Sequence, residues 1–101
     1  MSDLVKSKLN ELHRLCKKYD VLTMFLFGSA ATGEEHAKSD IDFLISFKDI
    51  SIETYTDNYF ALHEELEGLF EKKIDLLTER SLSNPIFKQS IEETKQLLYA
   101  A

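Results

Sequence analysis

A chain of 101 residues, 44% apolar and 30% charged with one proline and three glycines, is globular in composition. It is long enough for one small domain, residues 1–101, burying about 65% of the surface its unfolded form exposes, and too short for a second. The net charge of -6 argues against long nucleic acid as the main ligand, because such binders need a basic face that releases counterions from phosphates. Cys16 is the only cysteine, which excludes an intramolecular disulfide and a cysteine-based zinc site and fits a reducing cytoplasm. With no apolar signal core and no run approaching the roughly 20 apolar residues of a membrane span, a soluble cytoplasmic protein without a membrane partner is expected.

In chain order, Leu4, Val5, Leu9, Leu12, Leu15, Cys16 and Tyr19 recur at three- and four-residue steps and predict one amphipathic helix over residues 3–19, covering a sheet. His13 and Cys16 sit on or beside its apolar face and read as packing residues. Val21 to Phe27 is an apolar run that reads as a central strand. Residues 28–39, with two glycines among small and polar side chains, read as a turn, one helical turn and an exposed loop. A second strand is expected over residues 41–47.

Residues 53–72 carry Tyr59, Phe60, Leu66, Leu69 and Phe70 at mostly helical intervals, with Glu64, Glu65, Glu67 and Glu71 on a solvated side. His63 and Glu67, four apart on that helix, lack a further ligand and read as ordinary surface residues. Residues 73–78 form a third short strand in which Asp75 alternates with Ile74 and Leu76. Asn84-Pro85 is a cap followed by proline at the first helical position, opening a last helix with Ile86, Phe87, Ile91, Thr94, Leu97 and Leu98 on one side. The order helix, strand, turn, strand, helix, strand, helix predicts a small α/β or α+β fold, a sheet flanked by helices.

Two motifs carry chemistry. Gly28-Ser29 ends the first strand, and Asp40-Ile41-Asp42 opens the second. Because side chains alternate along a strand, Asp40 and Asp42 project from one face and can share divalent cations. Asp75 supplies a third carboxylate from the neighbouring strand. Hard oxygen ligands of this kind are ionised at neutral pH and suit Mg²⁺, whose other positions are filled by water and substrate phosphates. Gly28 lets the backbone approach a phosphate, and Ser29 offers a hydroxyl and a backbone donor at a helix N-terminus. The plan is that of metal-dependent nucleotidyl transfer, which asks a protein mainly for positioning and charge neutralisation. In so short a chain the cleft has to be completed by a partner or a substrate.

Phe27-Gly28-Ser29, Ser39-Asp40-Ile41-Asp42 and Ile74-Asp75-Leu76-Leu77 resemble the minimal (MNT) branch of the DNA polymerase beta-like nucleotidyltransferase superfamily, and the resemblance extends to the closing Lys95-Gln96-Leu97-Leu98-Tyr99. It implies a polymerase beta-like core with a small mixed sheet. It also implies that Gly28 and Ser29 bind the triphosphate of ATP, that Asp40 and Asp42 hold two Mg²⁺, and that Asp75 ligates one metal and helps activate the attacking hydroxyl. Minimal members commonly accompany a HEPN-domain protein, and in such toxin–antitoxin pairs the MNT antitoxin transfers AMP to a tyrosine of the HEPN ribonuclease.

Many relatives carry arginines after the Gly-Ser pair, where this chain has Ala30 and Thr32. Lys38 or His36 of the same loop, or a cation from a partner, is expected to supply the missing positive charge. Two rival readings follow. One is a catalytically degenerate module that silences a HEPN partner by occlusion, and the other is a small-molecule nucleotidyltransferase, against which the absence of an acceptor domain counts.

Overall fold

In the computed structural model, which describes residues 2–32 and 40–101, apolar strands alternate with amphipathic helices. Helix α1 (Asp3–Ser7) and helix α2 (Leu9–Lys18) precede strand β1 (Val21–Phe27); the single turn α3 (Ser29–Thr32) follows it. Strand β2 (Ile41–Phe47), the long helix α4 (Ile52–Phe70), strand β3 (Ile74–Thr78), helix α5 (Pro85–Thr94) and strand β4 (Gln96–Ala100) complete the order. The sheet runs β3-β2-β1-β4. β1 pairs antiparallel with β2 and β4, and β2 pairs parallel with β3, so α4 is the crossover that a parallel pair requires. This four-stranded mixed sheet with helices is the expected α+β class, and β1 is an inner strand as its apolar run predicts.

The inner face of the sheet carries the main core. Met24, Leu26, Ile41, Phe43, Ile45, Ile74 and Leu76 meet Val5 of α1, Leu12, Leu15 and Cys16 of α2, and Leu62, Leu66 and Phe70 of α4. Burial pushes the Cys16 thiol up to about 12, so it stays protonated and serves as packing. His13 also packs, its Nε2 sitting 2.8 Å from the Leu98 carbonyl oxygen. On the outer face Ile91 of α5 packs against Phe27 and Leu44.

Four expectations are corrected. The predicted helix over 3–19 is interrupted at Lys8 (φ -113°, ψ 12°); the Ser7 hydroxyl donates back to the Leu4 carbonyl at 2.7 Å, a local bond that competes with the helical ladder. The final helix stops at Thr94, and Leu97 and Leu98 lie instead on β4, where residues 96–100 pair with β1. Helical periodicity did place several apolar residues wrongly, since Phe60, Ile86 and Phe87 are 64%, 80% and 44% exposed. The acidic side of α4 is not all solvated: Glu65 accepts from the Tyr19 hydroxyl and pairs with Lys18 at 3.4 Å, tying α4 to α2.

The Asn84-Pro85 cap forms as read. Asn84 Oδ1 accepts from the backbone N–H of Ile86 at 2.9 Å and of Phe87 at 3.3 Å, satisfying two of the helix's orphan donors. Among the described residues no helix is long and apolar enough to cross a membrane.

Candidate nucleotidyl-transfer site

At the end of β1 the chain must turn sharply, and Gly28 does so with φ +71°, a conformation that side-chain-bearing residues rarely adopt. The Gly28 carbonyl then accepts from the Ala31 N–H at 3.1 Å, starting α3. Ala30 is fully buried and Ala31 is 6% exposed, so α3 is pinned to the core by its small residues. Ser29 opens this turn; Lys38 and His36 lie outside the described residues.

Antiparallel register sets Phe27 opposite Asp42, and parallel register sets Asp42 opposite Asp75. Because Ile41 and Phe43 face the inner core, alternation sends Asp42 to the outer face, and Asp75, flanked by the buried Ile74 and Leu76, goes the same way. The two carboxyls stand within reach of one another, and a hydrogen bond joins them when Asp42 carries its proton. An ideal Cβ built on Gly28 would lie 2.3 Å from Asp42 Oδ2, so with the carboxyl in its present place the turn has room for glycine and not for a Cβ.

Burial is the main cause that raises the Asp42 pKa, to about 6; the negative charge of Asp75, the hydrogen bond with it and the charge of Asp40 push in the same direction. The more exposed Asp40 pairs with Lys73, Nζ to Oδ2 4.0 Å. The structure therefore brings Asp42 and Asp75 together and leaves Asp40 beside them. Among the described residues no three acidic, histidine or cysteine side chains form a ready-made metal cage. A hard divalent cation nevertheless suits the donor set: two like-charged oxygen donors share one partly buried place, and Mg²⁺ is usually held by one or two carboxylates completed by substrate phosphates.

The raised Asp42 has a measurable consequence. With a folded pKa of about 6 against an ordinary 3.8, its ionisation penalises the folded state above pH 6, and the penalty is gone below pH 4. In metal-free buffer Asp42→Asn should therefore raise stability by about 1 kcal/mol near neutral pH, after allowance for solvent screening. The gain should shrink as the pH falls through 6 and vanish near 4. Urea unfolding of both proteins at the two pH values reads this directly.

Two residues that sequence reasoning left aside also reach this region. The Tyr59 hydroxyl donates to the Leu76 carbonyl at 2.6 Å, and His63 Nε2 lies 2.8 Å from the Ile74 carbonyl oxygen. Burial and then the charge of Asp75 raise the Tyr59 pKa. Glu67 stands 3.7 Å from His63 Nδ1, so both ring nitrogens face other protein groups. Their four-residue spacing was visible in the sequence, but the carbonyls they meet were not. A cavity of about 410 Å³ lined by Leu22, Phe47, Lys48, Tyr55, Thr78 and Arg80 lies at the opposite end of β2 from the acids, and its volume alone does not mark chemistry.

A strand, a Gly-Ser turn, and a carboxylate strand in register with a third acid on a mixed sheet make up the frame of a nucleotidyltransferase. The chain belongs to the polymerase beta nucleotidyltransferase family, whose model matches residues 10–101. It is 39% identical over 90 residues to the provisionally named protein adenylyltransferase MJ1379 of Methanocaldococcus jannaschii, covering 88% of this chain and 89% of that one. A solved toxin–antitoxin structure with AMP-PNP superposes with a TM-score of 0.72 at 23% identity, over 92% of this chain and 73% of that one. A complex of tri-AMPylated Shewanella oneidensis HEPN toxin with MNT antitoxin gives 0.66 at 19% identity, over 95% and 72%. Both structures share the fold of this chain.

Proposed function

We propose that this protein transfers AMP from ATP to a hydroxyl of a HEPN-domain protein in the cytoplasm, acting as the antitoxin of the pair. The observation that carries this reading is the register of Asp42 and Asp75, which gathers two carboxyls on one face beside a turn whose glycine leaves room for one of them. The 39% identity to a provisionally named protein adenylyltransferase supports the nucleotide and the reaction type. The HEPN partner is supported by the fold shared with an MNT antitoxin seen in complex with an AMPylated HEPN toxin.

In this reading the Gly28-Ser29 turn receives the triphosphate, and the missing Cβ of Gly28 leaves the room in which the Asp42 carboxyl stands beside it. Lys38, or a cation supplied by the partner, adds positive charge beside it. The acceptor oxygen forms a bond to the α-phosphorus as the bond between that phosphorus and the bridging oxygen breaks, releasing pyrophosphate. Asp75, the more exposed of the two hydrogen-bonded carboxyls, takes the hydroxyl proton, while the half-buried Asp42 stays in place against Gly28. Two Mg²⁺ held by Asp40, Asp42 and Asp75 would neutralise the triphosphate and the charge that develops during transfer.

Occlusion without chemistry remains the competing reading, favoured by one observation: the position after Ser29, where the family resemblance leads one to expect arginine, is a fully buried alanine. Incubating the purified protein and the HEPN partner with labelled ATP separates the two. Label should reach the partner with Mg²⁺ and fail to do so in EDTA, since without metal the acids repel the triphosphate. If the partner's ribonuclease is silenced equally in both conditions and never labelled, the protein is a binder.

A further inference from the structure

β3 is an edge strand, and in a parallel pair the carbonyls of successive residues point alternately toward the partner strand and away from it. The Lys73 carbonyl accepts from the Ile41 N–H at 3.2 Å and so faces β2. Asp75, two residues on, shares that direction, while the carbonyls of Ile74 and Leu76 point outward. An outward edge carbonyl is normally left to water or to another chain. Here each is met by a side chain of α4: His63 at Ile74, 2.8 Å, and Tyr59 at Leu76, 2.6 Å. A carbonyl oxygen only accepts, so Tyr59 Oη–H and His63 Nε2–H are both donors.

The spacing makes the match possible. Four residues along a helix rise about 6 Å, and two residues along a strand rise about 6.6 Å. Tyr59 and His63 stand nearly parallel, ring centroids 6.5 Å apart and planes 10° from one another, and their donors therefore reach carbonyls two apart. The residue between those carbonyls is Asp75. We infer that Tyr59 and His63 are positioning residues that clamp the edge strand on both sides of Asp75 and so hold its carboxyl level with that of Asp42.

The clamp rests on the reading of Asp75 as a metal-binding acid, and it makes a separate claim: an edge strand bonded on one side only can slide or fray, and a carboxyl pair held in register by it would loosen. Groups that orient metal ligands commonly contribute about 10-fold or more to metal affinity when removed.

The test is a titration of the metal-free protein with Mn²⁺, the free ion being followed by its EPR signal. Tyr59→Phe combined with His63→Leu should weaken binding about tenfold, and Tyr59→Phe alone, which keeps the ring in place, about threefold. His63→Gln, whose amide can still donate to the Ile74 carbonyl, should bind within about twofold of the parent. In an Asp75→Asn background the double change should cause no further loss from the residual binding. Unaltered affinity in Tyr59→Phe, or an equal loss with and without Asp75, would overturn the clamp. A parent protein that binds Mn²⁺ no better than Asp75→Asn would instead remove Asp75 from the metal site, and with it the purpose of the clamp. If the double variant does not fold, as judged by circular dichroism, Tyr59→Phe decides.

Discussion

Asp40→Asn together with Asp42→Asn should lower AMP transfer on the order of a thousandfold or more while leaving the chain folded. Both side chains lie at the start of β2 and take no part in the inner core, which is made by Ile41, Phe43 and Ile45. At Asp42 the negative charge stands where burial and neighbouring acids already disfavour it. Removing that charge relieves repulsion, so the melting temperature in EDTA should hold or rise. The parent should gain stability on adding Mg²⁺ and ATP, by linkage to whatever binds only the folded state, and the double variant should not. Normal labelling of the partner by the variant would show that the acids are not the reacting centre. A variant that unfolds would show them to be structural.

Gly28→Ala is the second large effect, and it acts through geometry with no change of charge. The added Cβ would come within 2.3 Å of Asp42 Oδ2 and 3.2 Å of its Cγ, and the carboxyl has to swing away from Asp75. The positive φ of +71° adds a backbone penalty of about 1 to 2 kcal/mol for an L side chain. Transfer should fall about 100-fold, the scale expected when reacting groups are misplaced by an ångström. Stability should fall by only the backbone penalty, because Asp42 can move at small cost to the core. Labelling rate and urea midpoint, measured on one preparation, should show that disproportion. A loss of stability with unchanged transfer would mean that the carboxyl does not work from its present place.

The sequence by itself determined what depends on near neighbours. Apolar runs located β1 and β2, alternation about Asp75 located β3, three- and four-residue periodicity located most of α2 and α4, and Asn84-Pro85 marked the start of α5. The Gly-Ser turn, the aspartate pair and the third acid were all visible as spaced residues, and with them the fold class and the family. Periodicity misled where an element's length or partner was set elsewhere. Gln96–Ala100 is compatible with a helix or a strand, and it becomes β4 because the free edge of β1 is there to pair with.

Only the tertiary structure decided which acids meet. Asp40 and Asp42 are neighbours in sequence, yet the pair set opposite one another is Asp42 and Asp75, since parallel register between β2 and β3 is a property of two strands and no single segment encodes it. The same through-space reason explains the rest: the raised pKa of Asp42 needs burial and charges from another strand, the collision that reserves position 28 for glycine needs a side chain fourteen residues away, and the carbonyls grasped by Tyr59 and His63 exist as outward-facing acceptors only once β3 has become an edge.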